Sequence, residues 1–316
     1  PQPTDRRDRL SEATRVLVLG ATGFIGGHTA AALEKEGLEV TRTSRAGAGE
    51  YLACDLLDPA SIDTALTGAK PDALVMAAGM SSVRTAWDEP AEAFAANTRG
   101  VFNLLEALGR FAPDTHLTML SSAAVYGPPS SLPLTESSAT DPSSPYGASK
   151  LAAEMLCRQH ARQHGTGVAV LRLFNQIGPG QGTGQAPSEF ARQIAVAERR
   201  GERGLMIKVG NPDSERDFTD VRDTGAGIAE VVADRLDGTF NLCSGEATTL
   251  ATIVHELNLS TRVEVGMLVE PERAHPADVT SVRGSPEKIT GTTGWKPQTR
   301  LEESLEDLLE DWRGRV

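Results

Sequence analysis

An apolar run of strand length, Arg15-Val16-Leu17-Val18-Leu19, leads straight into Gly20-Ala21-Thr22-Gly23-Phe24-Ile25-Gly26-Gly27, and a helical pattern follows to about Glu36. No other stretch constrains the fold as much. A glycine-rich turn between a strand and a helix opens a βαβ unit built to hold a dinucleotide. In that setting Gly20 allows the tight turn, Gly23 lets backbone approach a pyrophosphate at the helix N-terminus, and Gly26 lets the helix pack close to the strand. The alternative is a merely flexible surface turn, and the rest of the chain has to decide between them.

The chain continues in alternation. Strands are expected at Leu38–Thr43, Tyr51–Leu56, Ala73–Gly79, His116–Leu120 and Val168–Phe174, with long helices over Pro90–Phe111 and from Tyr146 to about His164. Alternating strands and helices imply an α/β fold with a doubly wound parallel sheet. Asn175-Gln176-Ile177-Gly178-Pro179-Gly180 breaks the pattern and marks the passage to a smaller C-terminal lobe. There Ile207–Gly210 and Arg216–Val221 bracket a turn, Thr239–Cys243 returns to the sheet as a last strand, and Ala251–Leu257 and Leu301–Trp312 are amphipathic helices. The division is thus a polar tail at 1–13, a cofactor domain at 14–174 plus about 220–243, and a substrate lobe at 175–219 plus 244–316. The Pro/Ser-rich stretch 128–143 is long enough to serve as a substrate lid.

Composition narrows the setting. Net charge is −12, which argues against nucleic acid as a general partner. No run of eighteen apolar residues suggests a membrane span, and the first ten residues lack the apolar centre of a signal peptide. Cys54, Cys157 and Cys243 fit neither a zinc site nor a disulfide framework, so no metal and a cytoplasmic location are expected.

A strand end that reads NAD carries an acid for the ribose. Here the second strand ends Thr41-Arg42-Thr43-Ser44-Arg45, with two arginines and no acid. Arginine suits a 2′-phosphate, which puts NADP(H) ahead of NAD(H). The expected cofactor contacts are Gly20, Thr22, Gly23, Phe24, Ile25, Arg45, Asp55, Leu56, Ala77, Ala78, Gly79 and Asn97, together with Tyr146 and Lys150.

The chemistry is expected at Tyr146-Gly147-Ala148-Ser149-Lys150, entered through Ser144 and Pro145. Ser is a good N-cap and Pro is at ease in the first helical turn, so Tyr146 and Lys150 share one helical face. A free phenol has a pKa near ~10, and a neighbouring ammonium favours the phenolate. The pair can pass a proton to or from a carbinol oxygen while a hydride moves at its carbon. Alone, such a pair is more often just two surface residues on a helix; beside a dinucleotide loop it becomes a site. Ser122, at the end of the fifth strand, is placed to hydrogen-bond the reacting oxygen, and Ser81 and Ser82 follow the fourth strand where a substrate would be touched.

Taken together, Gly20-x-x-Gly23-x-x-Gly26, Ser122, Tyr146-x-x-x-Lys150 and Asn175 resemble the extended short-chain dehydrogenase/reductase family of sugar-nucleotide epimerases, dehydratases and reductases, over about Val16 to Trp312. Phe190-Ala-Arg-Gln-Ile-Ala195, Ile207-Lys-Val-Gly-Asn211, Glu215–Asp223 and Asn241-Leu-Cys-Ser-Gly245 resemble its GDP-mannose branch, above all the reductases of GDP-linked 6-deoxy-4-ketohexoses. The resemblance implies a seven-stranded Rossmann sheet, a catalytic set of Ser122, Tyr146 and Lys150, and a homodimer through helices near 90–111 and 146–164. It implies substrate contacts at Asn175, Arg192, Lys208 and Arg216, with Arg216 on the diphosphate and Asp278 on the nucleotide ribose. His275 stands where this branch usually has Arg, which leaves dTDP, UDP or CDP open beside GDP. The related 4,6-dehydratases carry carboxylates at positions equivalent to Ala123 and Ala124, and two alanines cannot drive loss of water. A 3,5-epimerisation would want a Cys near Ala124, and Cys157 lies in another element.

The expected activity is therefore reduction of a nucleotide-linked 4-keto-6-deoxysugar, with Tyr146 as proton donor. The runner-up is an NDP-sugar 4-epimerase that retains NAD. A non-catalytic NADP-sensing protein is the third reading, weakened by the intact Ser122, Tyr146 and Lys150.

Overall fold

The computed structural model describes residues 14–273 and 279–316, so the expected tail at 1–13 lies outside the described residues. The chain forms two compact units. The first takes in the described residues up to Val125, with Ser144–Arg172 and Gly225–Phe240; the second comprises Tyr126–Ser143, Leu173–Thr224 and Asn241–Val316.

In chain order the elements to the end of the first long helix are β1 (Arg15–Leu19), α1 (Phe24–Lys35), β2 (Glu39–Ser44), β3 (Leu52–Ala53), α2 (Pro59–Ala69), β4 (Ala73–Met76), α3 (Val83–Asp88), α4 (Pro90–Phe94), a π turn (Ala95–Arg99), α5 (Gly100–Phe111), β5 (His116–Ser122) and α6 (Pro145–His164). There follow β6 (Val168–Leu173), β7 (Asn175–Ile177), α7 (Ala186–Arg199), β8 (Gly204–Val209), β9 (Glu215–Asp220), α8 (Val221–Ala233) and β10 (Gly238–Leu242). The chain closes with β11 (Ala247–Thr249), α9 (Leu250–Leu259), β12 (Glu264–Val269), β13 (Ser281–Val282), α10 (Glu287–Thr293) and α11 (Leu301–Arg315). Among the described residues no helix is long and apolar enough to cross a membrane.

The expected doubly wound parallel sheet is present, seven-stranded, in the order β10-β6-β5-β4-β1-β2-β3. Strand order reverses between β1 and β4, which run parallel with Leu19 opposite Met76. Ligands in such sheets bind at that reversal, beyond the carboxyl ends of the strands. The central strands read as continuous apolar runs because both faces are covered. Leu17, Leu74 and Leu117 are fully buried among Ile62, Leu66, Leu104 and Leu108 from α2 and α5.

Helix α6 starts where the sequence placed it. Ser144 Oγ caps the Gly147 amide at 3.1 Å, Pro145 fills the first turn, and Gly165 ends the helix at φ 70°. The stretch 90–111 is helical throughout, as expected, with a π segment at Ala95–Arg99 joining α4 to α5. The third strand shrinks to two residues, because Asp55 turns the chain by accepting from the Leu57 amide at 2.9 Å.

The second unit holds a small mixed sheet, β11-β9-β13 with β7 also on β9, and a separate parallel ladder of β8 with β12. The expected turn between β8 and β9 does not make them partners. Phe190, Ile194, Leu257, Leu305, Leu308 and Trp312 form this unit's core. The stretch 126–143 groups with this unit and is tied to it. Tyr126 donates to Asn241 Oδ1 at 2.6 Å, Asn241 Nδ2 to the Leu134 carbonyl at 2.9 Å, and Leu134 N to the Arg283 carbonyl at 2.8 Å.

Candidate active site

The glycine loop is shaped by close approach. A Cβ on Gly20, which sits at φ 79°, would lie 2.8 Å from Ala78 backbone, and one on Gly26 would lie 2.2 Å from the Gly20 carbonyl oxygen. The loop after β1 thus presses on the loop after β4 and on its own helix, and only glycine permits both contacts. Gly23, exposed, is the N-cap of α1 and offers no side chain to its first turn, nor does that turn hold an acid. Backbone amides of Phe24 and Ile25 at such an end suit a pyrophosphate. Thr22 is exposed, while Phe24 and Ile25 are half-buried. Buried Thr43 fixes the whole turn: its hydroxyl donates to the Val18 carbonyl at 3.1 Å and accepts from Gly20 N at 3.3 Å.

At the end of β2 the two arginines part company. Arg42 is engaged by Glu34 through two hydrogen bonds of 3.1 and 2.8 Å, which hold its guanidinium above the usual arginine range. Arg45 is exposed. Asp55 is half-buried and commits one oxygen to its own turn; Leu56 is buried, and its carbonyl accepts from Asn103 at 2.9 Å. Ala77 and Ala78 are half-buried at the end of β4, beside exposed Gly79.

Ser122, Tyr146 and Lys150 come together at the end of β5. Tyr146 is buried, with Ser122 near enough to act on its phenol, and the Ser122 hydroxyl accepts from Ala124 N at 3.2 Å. Lys150 is buried and donates to the Leu120 carbonyl at 3.0 Å. Burial pushes the Lys150 ammonium down to about 8. The phenol moves the other way. Burial raises it, and Ser122 opposes that more weakly. In the protein by itself the phenol therefore stands above its ordinary value and not below it, because desolvation disfavours the phenolate.

Asn97 holds this arrangement together from the π turn. Its Oδ1 accepts from Met80 N at 2.9 Å, and its Nδ2 donates to Ser149 Oγ at 3.0 Å, which in turn donates to the Tyr146 carbonyl at 2.8 Å. A π turn widens a helix locally and recurs at functional sites. Ala124 packs with Ala86, Ala93 and Met80 against the Tyr146 ring, so the surroundings of that ring are apolar where a dehydratase would place acids. Ser81 is exposed, whereas Ser82 caps α3 by accepting from Thr85 N at 3.0 Å.

The remaining residues belong to the second unit and are described within it. Asn175 lies on β7, half-buried. Arg192 is held by Glu189 through bonds of 3.0 and 2.7 Å, and exposed Lys208 meets Glu270 at 2.6 Å. Arg216 donates to the Glu215 carbonyl at 2.8 Å. His275 and Asp278 lie outside the described residues. The sequence reading overlooked Thr43, Ser149 and Glu154. Glu154 had a signal, since it continues the Tyr146–Lys150 spacing by one further turn.

The family model described as GDP-mannose 4,6 dehydratase matches residues 17–308. The GDP-6-deoxy-D-mannose reductase of Pseudomonas aeruginosa is 35% identical over 305 residues, covering 96% of this chain and 98% of that protein. Among solved structures, RMD from Pseudomonas aeruginosa complexed with NADPH superposes with TM-score 0.87 at 33% identity, covering 96% of this chain and 100% of the other. The UDP-glucose 4-epimerase of Thermus thermophilus, complexed with NAD, follows with TM-score 0.85 at 27% identity, covering 96% and 100%. The chain belongs to the extended short-chain dehydrogenase/reductase family, the NAD(P)-dependent enzymes that act on nucleotide sugars.

Proposed function

We propose that the protein is an NADPH-dependent reductase of a nucleotide-linked 4-keto-6-deoxyhexose, with a GDP-linked sugar first among the candidates. The observation that carries this reading is the buried phenol of Tyr146 close to Ser122 in otherwise apolar surroundings, with alanines at 123 and 124. Proton transfer at one oxygen is what such a site can do. Loss of water would need one group to take a proton and another to protonate the leaving hydroxyl, and two methyl groups supply neither. Cys157 offers no substitute base, since it is packed into the core beside Met119 and its thiol is pushed up to about 12 by burial.

The cradle of Gly20, Gly23 and the first turn of α1 would hold the dinucleotide pyrophosphate, Arg45 the 2′-phosphate, and Ala77–Gly79 the chain between the two halves. The bound nicotinamide supplies the hydride. Tyr146, kept a neutral phenol by burial, is in the state required of a proton donor to a carbonyl oxygen. Ser122 orients that oxygen, and the Lys150 ammonium favours the phenolate left behind. Asn175, Arg192, Lys208 and Arg216 would meet the nucleotide sugar. Arg192 and Lys208 would have to exchange carboxylate partners for phosphate.

Phe94, Phe102 and Met155 are exposed, and a cavity of about 520 Å³ lined by Phe94, Thr98, Phe102 and Leu156 lies on the same face. We assign that face to a homodimer, and the protein to the cytoplasm. The second enzymatic reading, a 4-epimerase retaining NAD, draws on the likeness to UDP-glucose 4-epimerases. The test is reduced-nicotinamide absorbance with GDP-, dTDP-, UDP- and CDP-linked 4-keto-6-deoxyhexoses. Stoichiometric loss of NADPH supports reduction, and epimer exchange without loss supports the second reading.

A further inference from the structure

Helix α6 meets β5 through one stripe of three residues, each a turn apart. Tyr146 lies by Ser122, Lys150 donates to the Leu120 carbonyl at 3.0 Å, and Glu154 accepts from Ser121 Oγ at 2.6 Å. Three successive residues at the end of β5 are thus matched to three successive turns of α6. The third pair has no place in the proton transfer described above, yet it is the most elaborate. Glu154 is wholly inaccessible to solvent. Its Oε1 also accepts from Arg172 Nε at 3.0 Å, and its Oε2 from Arg172 Nη2 at 2.9 Å and Arg158 Nη2 at 2.5 Å. A buried carboxylate is costly to desolvate unless its lone pairs are used, so its presence is weak evidence of a gain in stability.

Resting on the reductase reading only for the role of Tyr146, we propose that Glu154 is a positioning residue for the proton-transfer set. Its carboxylate locks α6 onto β5 in the register that brings Tyr146 to Ser122, and it is the counter-charge of the buried Lys150 ammonium. Arg172, on the neighbouring strand β6, fixes the carboxylate plane by a two-point fork, and Ser121, bonded to that carboxylate, carries the position to its neighbour Ser122. The groups facing Lys150 are few. Tyr146, Glu154 and Cys157 stand on its own helix, and the Leu120 carbonyl on β5. Gly79 after β4 and Asn97 in the π turn are uncharged, while Arg158 and Arg172 lie behind Glu154 and are spent on it. Glu154 is therefore the one carboxylate, among the described residues, that acts on Lys150, and it works against the burial that drives its proton off.

The test needs no substrate. Lysine labelled with carbon-13 at Cε is followed by NMR through a pH titration of the full chain, with Lys150→Met assigning the signal. Wild-type Lys150 titrates near 8. Glu154→Gln, which keeps the shape and removes the charge, lowers that midpoint by about one pH unit, whereas Glu154→Asp, which keeps the charge, stays with the wild type. Should Glu154→Gln fail to fold, Glu154→Gln with Arg172→Gln removes both charges, and its midpoint also falls because, of the two, it is the carboxylate that acts on Lys150. Loss of stability alone does not move the midpoint of a lysine in a folded chain. Identical midpoints for the wild type and the folded charge-removing variant overturn the proposal. Absence of turnover in the wild type counts against the reductase reading alone, because the titration is read without it.

Discussion

Asn97 Oδ1 accepts a hydrogen bond from the Met80 backbone amide at 2.9 Å, and so ties the loop after β4 to the helix that carries Tyr146. A Cβ on Gly79 would lie 2.5 Å from that same oxygen. Removing the amide leaves the Met80 N–H without its acceptor, at about 1–3 kcal/mol, and takes from the Ser149 hydroxyl one of its two partners. Asn97→Ala is expected to lower the melting temperature and to weaken NADPH binding, while Gln, which is one methylene longer, does not restore either. Thermal unfolding and a fluorescence titration of NADPH check this. Unchanged cofactor affinity would mean that the loop keeps its shape without Asn97.

Tyr146→Phe removes only a hydroxyl. Turnover is expected to fall by about 10²–10⁴-fold, while affinity for the nucleotide sugar stays within a few-fold, since this hydroxyl serves the proton in flight. Single-turnover kinetics beside equilibrium binding separate the two. Activity above about a tenth of wild type would remove Tyr146 from the acid role.

Lys150 carries a cost that pH can expose. Its pKa is lowered from the ordinary lysine value to about 8 by burial, so the unfolded chain holds the proton more tightly than the folded one. The penalty is present in full below about 8, and it fades as pH rises from there toward the unfolded value. Lys150→Met is expected to stabilise the fold at pH 7 by about 1–3 kcal/mol, with a smaller gain at pH 9, and to abolish turnover. Denaturant melts at the two pH values test it. A gain that grows with pH would contradict the sign.

The sheet, the glycine loop and the start of α6 were legible in the sequence because each is set by local chemistry: apolar runs, a glycine spacing, a Ser-Pro entry. The count of seven strands followed from family resemblance, not from periodicity, and their order is known from the structure. What stayed hidden depends on contacts between distant residues. Nothing in Ala95–Arg99 announces a π turn, and the Asn97–Ser149 bond that accompanies it spans 52 positions. The anchoring of 126–143 rests on Asn241, more than a hundred residues away. Arg42 and Arg45 look alike in the sequence, and only the approach of Glu34 from α1 sets them apart.

That difference makes a prediction of its own. Arg45→Asp is expected to weaken NADPH by on the order of 10–100-fold, the worth of a charge-assisted hydrogen bond, and NADH by far less. Arg42→Ala, which breaks a partly exposed ion pair with Glu34, is expected to change cofactor preference little. Dissociation constants for both nucleotides decide it. Equal losses for NADPH and NADH in the Arg45 variant would mean that this strand end does not read the 2′-phosphate.

The exposed face formed by α4, α5 and α6 tests the assembly. Phe102→Glu places a charge among Phe94, Leu156 and Thr98 around the surface cavity. Light scattering is expected to show a dimer for wild type and a monomer for the variant, with far-UV dichroism unchanged. A wild-type monomer would remove this face as an interface.

The central claim is that the site moves one hydride and one proton to a keto sugar and then lets the oxidised cofactor go. The most direct measurement follows NADPH absorbance while mass spectrometry follows a GDP-linked 4-keto-6-deoxyhexose in the same tube. The account predicts one NADPH lost for each sugar that gains two mass units, and no 4-keto-6-deoxy product from an intact GDP-hexose. Interconversion of 4-epimers at constant NADPH, or release of the keto sugar from the hexose, would contradict it.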